Sequence, residues 1–301
     1  MKQAIELGGR DLAMLVLLTL FWGLNWPVMK IGVHDFAPMS FRAISMIAGL
    51  PVLWAIVRSQ GLSLAVPREH WRELAAIAMT NMAIWYVLAM YGVKLLASGR
   101  AAILGYTMPI WVGVIGWLVF GERPSRRLGF GLAAAAGGVA LLLSSEFAAM
   151  AGRPAGTVCM LAAAFVWGFG THLMRRRRQD TSVLVITFWS LAISLVVCGS
   201  AAVVFERDQW VRPPDAREWA AIVYNAVLIF GFAQVAWFRL ASILPPVASG
   251  LSVMLIPAIG LFSGIAILGE RPHWQDFVAL ACILLAIATV LMPAAADRRQ
   301  R

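Results

Sequence analysis

Charge is scarce in this 301-residue chain, and acid is scarcer than base: 13% of residues are charged, with 15 Asp+Glu against 25 Lys+Arg. Charged residues make up about a quarter of a soluble domain, so a water-exposed globule is excluded. Cysteine and histidine are rarer, at 3 and 4 residues. Cys159, Cys198 and Cys282 all fall inside apolar runs without CxxC or Cys/His spacing, so neither a disulfide framework nor a metal site is suggested. There is no HExxH, no GxSxG and no pair of deep aspartates. The patterns of intramembrane or hydrolytic catalysis are therefore missing, and neither an enzyme nor a cofactor is expected. The most informative absence is positional. All 15 acids lie in loops or at the ends of apolar runs. Carboxylates buried in a membrane are the usual proton relays and cation counter-ions. Their absence at depth argues against export of lipophilic cations through a buried Glu, and against tight proton coupling.

What is present is apolar. Hydrophobic residues make up 61% of the chain and mean hydropathy is +0.79, the signature of a polytopic membrane protein. A helix needs about 20 apolar residues to cross a bilayer. Ten such segments can be marked: 12–32, 38–57, 73–93, 98–119, 127–145, 155–174, 183–205, 217–239, 245–268 and 274–293. The first follows Lys2 and Arg10 like a signal peptide, but it is too long and has no small-residue cleavage site, so it is read as a span.

A cytoplasmic N-terminus puts 16 of the 25 Lys+Arg on the inner side, including the run Arg175 to Arg178 and the terminal Lys2, Arg298, Arg299 and Arg301. Basic residues retained on the inner side set orientation, so the net charge of +10 is read as lining an anionic leaflet and no nucleic-acid partner is inferred. The run at 175–178 is a topology anchor on this reading.

The sequence also repeats. Gly121-Glu122-Arg123-Pro124 returns as Gly269-Glu270-Arg271-Pro272, each twelve residues after a proline, Pro109 or Pro257. Trp22-Gly23 is echoed by Trp167-Gly168, and Ala75-Ala76-Ile77 by Ala220-Ala221-Ile222. With five spans per half the second copy must enter the membrane in the opposite sense. The expected fold is all-α: ten transmembrane helices in two inverted five-helix repeats, residues 1–148 and 149–301, with both termini cytoplasmic. Inverted repeats suit alternating access, with a gate at each side of a central site.

Phe21-Trp22-Gly23-Leu24-Asn25-Trp26, its echo Val166-Trp167-Gly168, the Pro-Met-Ser-Phe-Arg start of the second span at 38–42, and the two Pro-x11-Gly-Glu-Arg-Pro helices resemble the EamA-type, ten-span branch of the drug/metabolite transporter superfamily. The resemblance covers residues 12–294. It implies a basket in which spans 1–4 and 6–9 surround a cavity while spans 5 and 10 lie outside and support a homodimer. Among branches it looks most like bacterial inner-membrane exporters of aromatic and other neutral amino acids.

Depth selects the candidate site. At 1.5 Å per residue, Trp22 and Asn25 lie near the middle of span 1, Asn81 and Trp85 near that of span 3, Tyr106 near that of span 4 and Trp167 near that of span 6, with Tyr224, Asn225 and Gln234 at intermediate depth in span 8. Asparagine in hydrocarbon needs a partner, either across helices or in a wet cavity. Both readings stand for Asn81 and Asn225, whereas a cavity role is favoured for Asn25 between two tryptophans. Trp54, Trp71, Trp210, Trp219 and Trp274 are near span ends, where aromatic belts lie. Lys30, Arg42, Arg100, His172 and Arg239 also sit near span ends and are expected to snorkel to the interface. Arg42 is the exception worth weighing, since at the outer mouth it could meet a substrate carboxylate. Pro109 and Pro257 sit mid-helix, where proline removes a hydrogen bond and favours a kink, and are read as paired hinges. The Gly-Glu-Arg-Pro tails are read as helix stops.

These readings converge on an alternating-access exporter or facilitator of small neutral metabolites, with aromatic and other neutral amino acids as the best substrate. The alternatives on the same fold are purine, nucleoside, sugar-phosphate or drug-like cargo. A sugar phosphate would want several cations at the midplane, and there are none. A channel is less in keeping with two matched proline hinges.

Overall fold

The computed structural model describes residues 9–122, 126–148, 154–243 and 246–291. The expected Arg123-Pro124, Lys2, Arg298, Arg299 and Arg301 lie outside them. All regular structure among the described residues is helical. Eight helical stretches are long and apolar enough to cross a membrane: span 1 (Gly9–Gly32), span 2 (Pro38–Ser59), span 3 (Arg68–Leu95), span 4 (Ser98–Leu118), span 5 (Arg126–Ser144), span 6 (Pro154–Arg175), span 7 (Val183–Phe205) and span 8 (Ala216–Trp237). Span 9 (Pro246–Leu268) and span 10 (Trp274–Leu291) complete the ten. The bounds follow the apolar runs within a few residues, because a backbone in lipid has to satisfy its polar groups internally and a helix does so.

Tertiary contacts pair the spans in a regular scheme. Span 5 packs along span 10, span 3 along span 6, span 1 along span 9 and span 2 along span 7. The links between helix ends fix their alternation. One face gathers the C-terminal ends of spans 1, 3, 7 and 9 with the N-terminal ends of spans 2, 4, 8 and 10; it is called the Glu206 face below. The opposite face carries Glu122, where span 4 ends and Arg176 follows span 6 at 3.1 Å.

Span ends are finished by side chains from distant sequence. Glu206, following span 7 and buried, accepts the amides of Met39 (2.9 Å) and Ser40 (2.8 Å), capping span 2. Glu270, following span 9, does the same for span 4 through Ser98 (2.6 Å) and Gly99 (3.2 Å). First-turn amides have no partner within their own helix and the helix dipole favours an anion there. Lys30 is the converse. Its ammonium donates to the carbonyls of Val93, Lys94 and Leu96 at 2.8–3.0 Å, closing the C-terminus of span 3. Span 8 carries its own cap. Asp215 accepts from the Arg217 and Glu218 amides, both at 2.8 Å, and the Glu218 carboxylate accepts in turn from the Asp215 amide.

The repeated tails end their helices as expected. Gly121 and Gly269 adopt φ of +68° and +66°, the left-handed conformation that glycine enters without a Cβ penalty. The next amide then turns back onto a carbonyl six residues earlier, Glu122 to Gly116 at 2.9 Å and Glu270 to Gly264 at 3.3 Å.

Three local features differ from the sequence reading. Span 4 is broken, not kinked: it stops at Gly105, turns through Tyr106 and Thr107, and restarts at Met108. Pro109 therefore occupies the first turn of the second segment, where its missing N–H leaves no hydrogen bond unmade. Its counterpart Pro257 lies within an unbroken helix. Spans 3 and 8 each contain a π-helical stretch, Met79–Ala83 and Asn225–Ala233, which no hydropathy pattern signals. Finally, four of the end-of-span basic residues are held by partners within the protein. Lys30 caps span 3, Arg100 pairs with buried Asp276 at 2.9 Å, Arg239 meets Asp11 at 3.1 Å, and buried His172 stacks on Phe120 while its Nε2 lies 2.8 Å from the Val112 carbonyl. Each finds a partner outside its own span.

Candidate substrate site

The π-helical stretches place the polar residues of spans 3 and 8. Such wide turns are often found at functional sites, and here each begins at or close to an asparagine. Asn81 lies within Met79–Ala83, against Gly170 of span 6. A methyl group added to Gly170 would lie 2.7 Å from the Asn81 amide nitrogen. Its Nδ2 is buried without a hydrogen-bond partner, and so are Trp85 Nε1, one turn further along span 3, and Asn25 Oδ1 in span 1. A buried polar atom with no partner costs about 1–3 kcal/mol. Three of the buried atoms without a partner fall on residues selected by depth.

The aromatic residues divide into groups. Trp26 is 4% exposed and fills the space between spans 4 and 9. Methyl groups on Gly105 and Gly260 would lie 2.8 and 3.1 Å from its ring, and Tyr106 stands 6.4 Å away at the break in span 4. Trp85 lies against Tyr86, ring centroids 5.1 Å apart. Trp22 and Tyr224 belong to a separate seam between spans 1 and 8. The Trp22 ring is 5.6 Å from Trp237, and Tyr224 donates to the Phe21 carbonyl at 2.8 Å. Trp167 and Gln234 are half-buried; Trp167 accepts at its carbonyl from Thr171 in its own helix, and Gln234 opens the helical segment after the π stretch of span 8. Trp54, Trp210, Trp219 and Trp274, read as belt residues, are 47–63% exposed, whereas Trp71 is held by the Val66 carbonyl and by Trp189.

Arg42 is not at an open mouth. It is 1% exposed, and its guanidinium carbon lies 4.6 Å over the Tyr86 ring and 5.7 Å from the rings of Phe41 and Phe230. Nη1 donates to Asn225 Oδ1 at 3.2 Å, and Nη2 faces the sulfurs of Met29 (3.0 Å) and Met90 (3.1 Å). Asn225 also donates to the Ala221 carbonyl at 3.0 Å, so the residue opening the π stretch of span 8 is tied to span 2. Sequence reasoning missed this enclosure because its walls come from spans 1, 3 and 8. The available signal was the presence of two deep polar groups, Arg42 and Asn225, each needing a partner.

On the Glu206 face an open cleft of about 640 Å³ is lined by Lys30, His34, Pro38, Tyr91, Lys94, Leu95 and Gln209. From Tyr91 of its lining a hydrogen-bonded chain leads away: the Tyr91 hydroxyl donates to Glu206 (3.3 Å), which also accepts from Ser40 Oγ (3.0 Å), and Trp210 Nε1 donates to Ser40 Oγ (2.8 Å). Among the described residues no group of three or more His, Cys, Asp or Glu could hold a metal ion.

Comparison with known proteins places this arrangement. The profile of the EamA-like transporter family matches residues 11–144 and again 154–292. The transporter YoaV of Bacillus subtilis (strain 168) is 26% identical over 252 residues, spanning 83% of this chain and 86% of that one. A probable amino-acid metabolite efflux pump of Escherichia coli (strain K12) is 22% identical over 291 residues, with 92% and 93% covered. One crystal structure shares the fold with a TM-score of 0.66 at 17% identity, covering 93% of this chain and 96% of that one.

Proposed function

This chain belongs to the EamA-like transporter family, and from that premise we propose that it carries small neutral metabolites, aromatic and other neutral amino acids first among them, by alternating access across a bacterial inner membrane. The observation that carries the reading is three of the buried polar atoms without a partner, Asn25 Oδ1, Asn81 Nδ2 and Trp85 Nε1, at mid-depth in spans 1 and 3, whose acids Asp11, Glu69 and Glu73 all lie near the N-terminal ends. One acceptor and two donors beside aromatic rings suit a ligand that is apolar in body and polar at one end. Without a deep carboxylate, flux runs down the substrate gradient and is at most loosely coupled to protons. The name of the E. coli relative, an amino-acid metabolite efflux pump, agrees in substrate class. The two halves act as inverted repeats on this reading, with the N-terminus cytoplasmic, and the break at Tyr106–Thr107 and the helix around Pro257 serve as the two hinges. Spans 5 and 10, which pack on each other and leave Phe130, Trp274 and Phe277 exposed, carry the contact between two copies.

The experiment is counterflow in proteoliposomes over a panel of amino acids, with and without a pH gradient, and with purines, sugar phosphates and quaternary amines as controls. Amino acids exchange, the pH gradient changes the rate little, and Asn81→Leu and Trp85→Phe slow exchange without loss of folded protein. Exchange of purines or sugar phosphates but of no amino acid would sink the substrate assignment, and unitary currents in bilayer recordings would replace the carrier by a channel.

A further inference from the structure

We propose that Arg42 is a carboxylate-binding residue, so that the cargo must carry a carboxylate; this deepens the transport reading and rests on it. The starting point is electrostatic. A guanidinium stays protonated in proteins, and this one is 1% exposed. Among the described residues its contacts are one amide oxygen, two thioether sulfurs and three aromatic rings, with the Tyr86 hydroxyl and the Cys198 thiol as the titratable groups that interact with it, and no carboxylate. An ion taken out of water without a counter-ion is penalised by several kcal/mol. Asn225 and the ring faces offset part of that, and thioether sulfur is a weak acceptor. Ionisable groups held at such cost inside membrane proteins mark ligand pathways.

The arrangement of donors specifies the ligand. Nη1 is engaged by Asn225, whereas Nε has no partner and Nη2 has only sulfur. The Nε–Nη2 edge is a two-donor fork that a carboxylate matches with two parallel hydrogen bonds. A monocarboxylate also neutralises one guanidinium, whereas a phosphate dianion would leave an uncompensated charge in the same apolar box and a halide cannot use both donors. Met29 and Met90 are the side chains in the way, and their unbranched, flexible stems let them swing aside. The position is continuous with the transport site. Arg42 lies over Tyr86, and Tyr86 lies against Trp85, so a carboxylate on Arg42 puts an apolar body of amino-acid size beside Trp85 and the polar atoms of span 3.

The test uses full-length protein in lipid nanodiscs for thermal unfolding and in proteoliposomes for counterflow. The probes are L-phenylalanine, 3-phenylpropionate, L-phenylalaninamide and phenethylamine, against wild type, Arg42→Met and Arg42→Lys. The two acids raise the wild-type unfolding temperature in a concentration-dependent way and the two compounds without a carboxylate do not. Arg42→Met weakens apparent binding of the acids by roughly tenfold or more, the loss of about 1.4 kcal/mol or more, and Arg42→Lys retains part of it. A purely structural arginine would behave differently. Removing it would lower the unfolding temperature of the ligand-free protein, whereas a residue kept for binding gives a variant that is as stable as wild type or more so, because an apolar side chain relieves the buried charge. Equal effects of acid and amide on wild type, or unchanged acid binding in Arg42→Met, overturn the assignment. Acid-specific stabilisation lost in Arg42→Met, with no counterflow of any compound, leaves the assignment standing and removes the transport reading. Counterflow that is indifferent to the carboxylate does the reverse.

Discussion

Replacing Glu206 by alanine tests what joins spans 2 and 7 at the Glu206 face. The side chain is 1% exposed and accepts four hydrogen bonds, from the amides of Met39 and Ser40, the Ser40 hydroxyl and the Tyr91 hydroxyl, at 2.8–3.3 Å. Alanine leaves two first-turn amides of span 2 buried without acceptors, each at about 1–3 kcal/mol. Water entering the vacated space recovers part of this, so the expected loss is about 3 kcal/mol. Glutamine keeps one carbonyl oxygen but turns an NH2 toward the other donors, and should lose about half as much. In thermal unfolding of the purified protein, about 3 kcal/mol corresponds to a drop of roughly 5–10 °C at this chain length. A second readout separates lost stability from an opened face. Cys198 lies in span 7 about two turns before Glu206 and is fully buried. Freeing the end of span 7 from span 2 should speed its alkylation by a thiol reagent, scored by peptide mass spectrometry, relative to Cys159. If Glu206→Ala unfolds within about 1 °C of wild type and Cys198 reacts no faster, the cap is not what joins spans 2 and 7.

The two copies of the tail make a matched comparison. Glu270→Ala, which strips the acceptor from Ser98 and Gly99, should cost about 1–3 kcal/mol, while Glu122→Ala, half exposed like its partner Arg176, should cost under about 1 kcal/mol; equal losses in thermal unfolding would refute the asymmetry. Gly170→Ala pushes its new methyl against Thr80 and Asn81, so it should slow counterflow several-fold with little change in unfolding temperature, and a normal rate would remove Asn81 from the site. The backbone amides of Glu218 and Arg217 hold the Asp215 carboxyl below the usual carboxylate range. A lowered carboxyl contributes stability above its unfolded pKa and loses it as pH falls through the folded value. The wild type should therefore lose unfolding temperature on acidification relative to Asp215→Asn, whose amide caps at any pH; superimposable pH profiles would contradict this.

The ten spans and the two helix stops were legible because they depend on local quantities, the length of an apolar run and the one residue that turns left-handed without strain. The span-end charges were not. Lys30 reads as a residue near an interface, but its ammonium is taken up by the free carbonyls that end span 3, and Glu206 reads as a loop acid although the amides it caps are more than 160 residues away. Proline was legible as a disturbance and not as to its kind. At Pro109 the flanking Gly105 and Thr107, whose hydroxyl bonds back to the Leu104 carbonyl at 2.7 Å, give the chain a turn to adopt in place of a kinked helix. Depth picked out Asn25, Asn81, Trp85, Trp22 and Tyr224 alike, but depth alone could not say that Trp22 and Tyr224 make contacts between spans 1 and 8, or that Arg42 is sealed by methionines and rings from three other spans.

The wide turns in spans 3 and 8 have a mechanical meaning. A helix holding one residue more than its hydrogen-bond ladder needs has slack. That surplus can be passed along the ladder one carbonyl at a time, and each residue it passes rotates by about 100° around the axis while both ends of the helix stay where their caps hold them. In span 8 the slack begins at Asn225, the residue that grips Arg42. Passing it along would change which side chains of span 8 face their neighbours, and the Arg42–Asn225 hydrogen bond stands at its first residue.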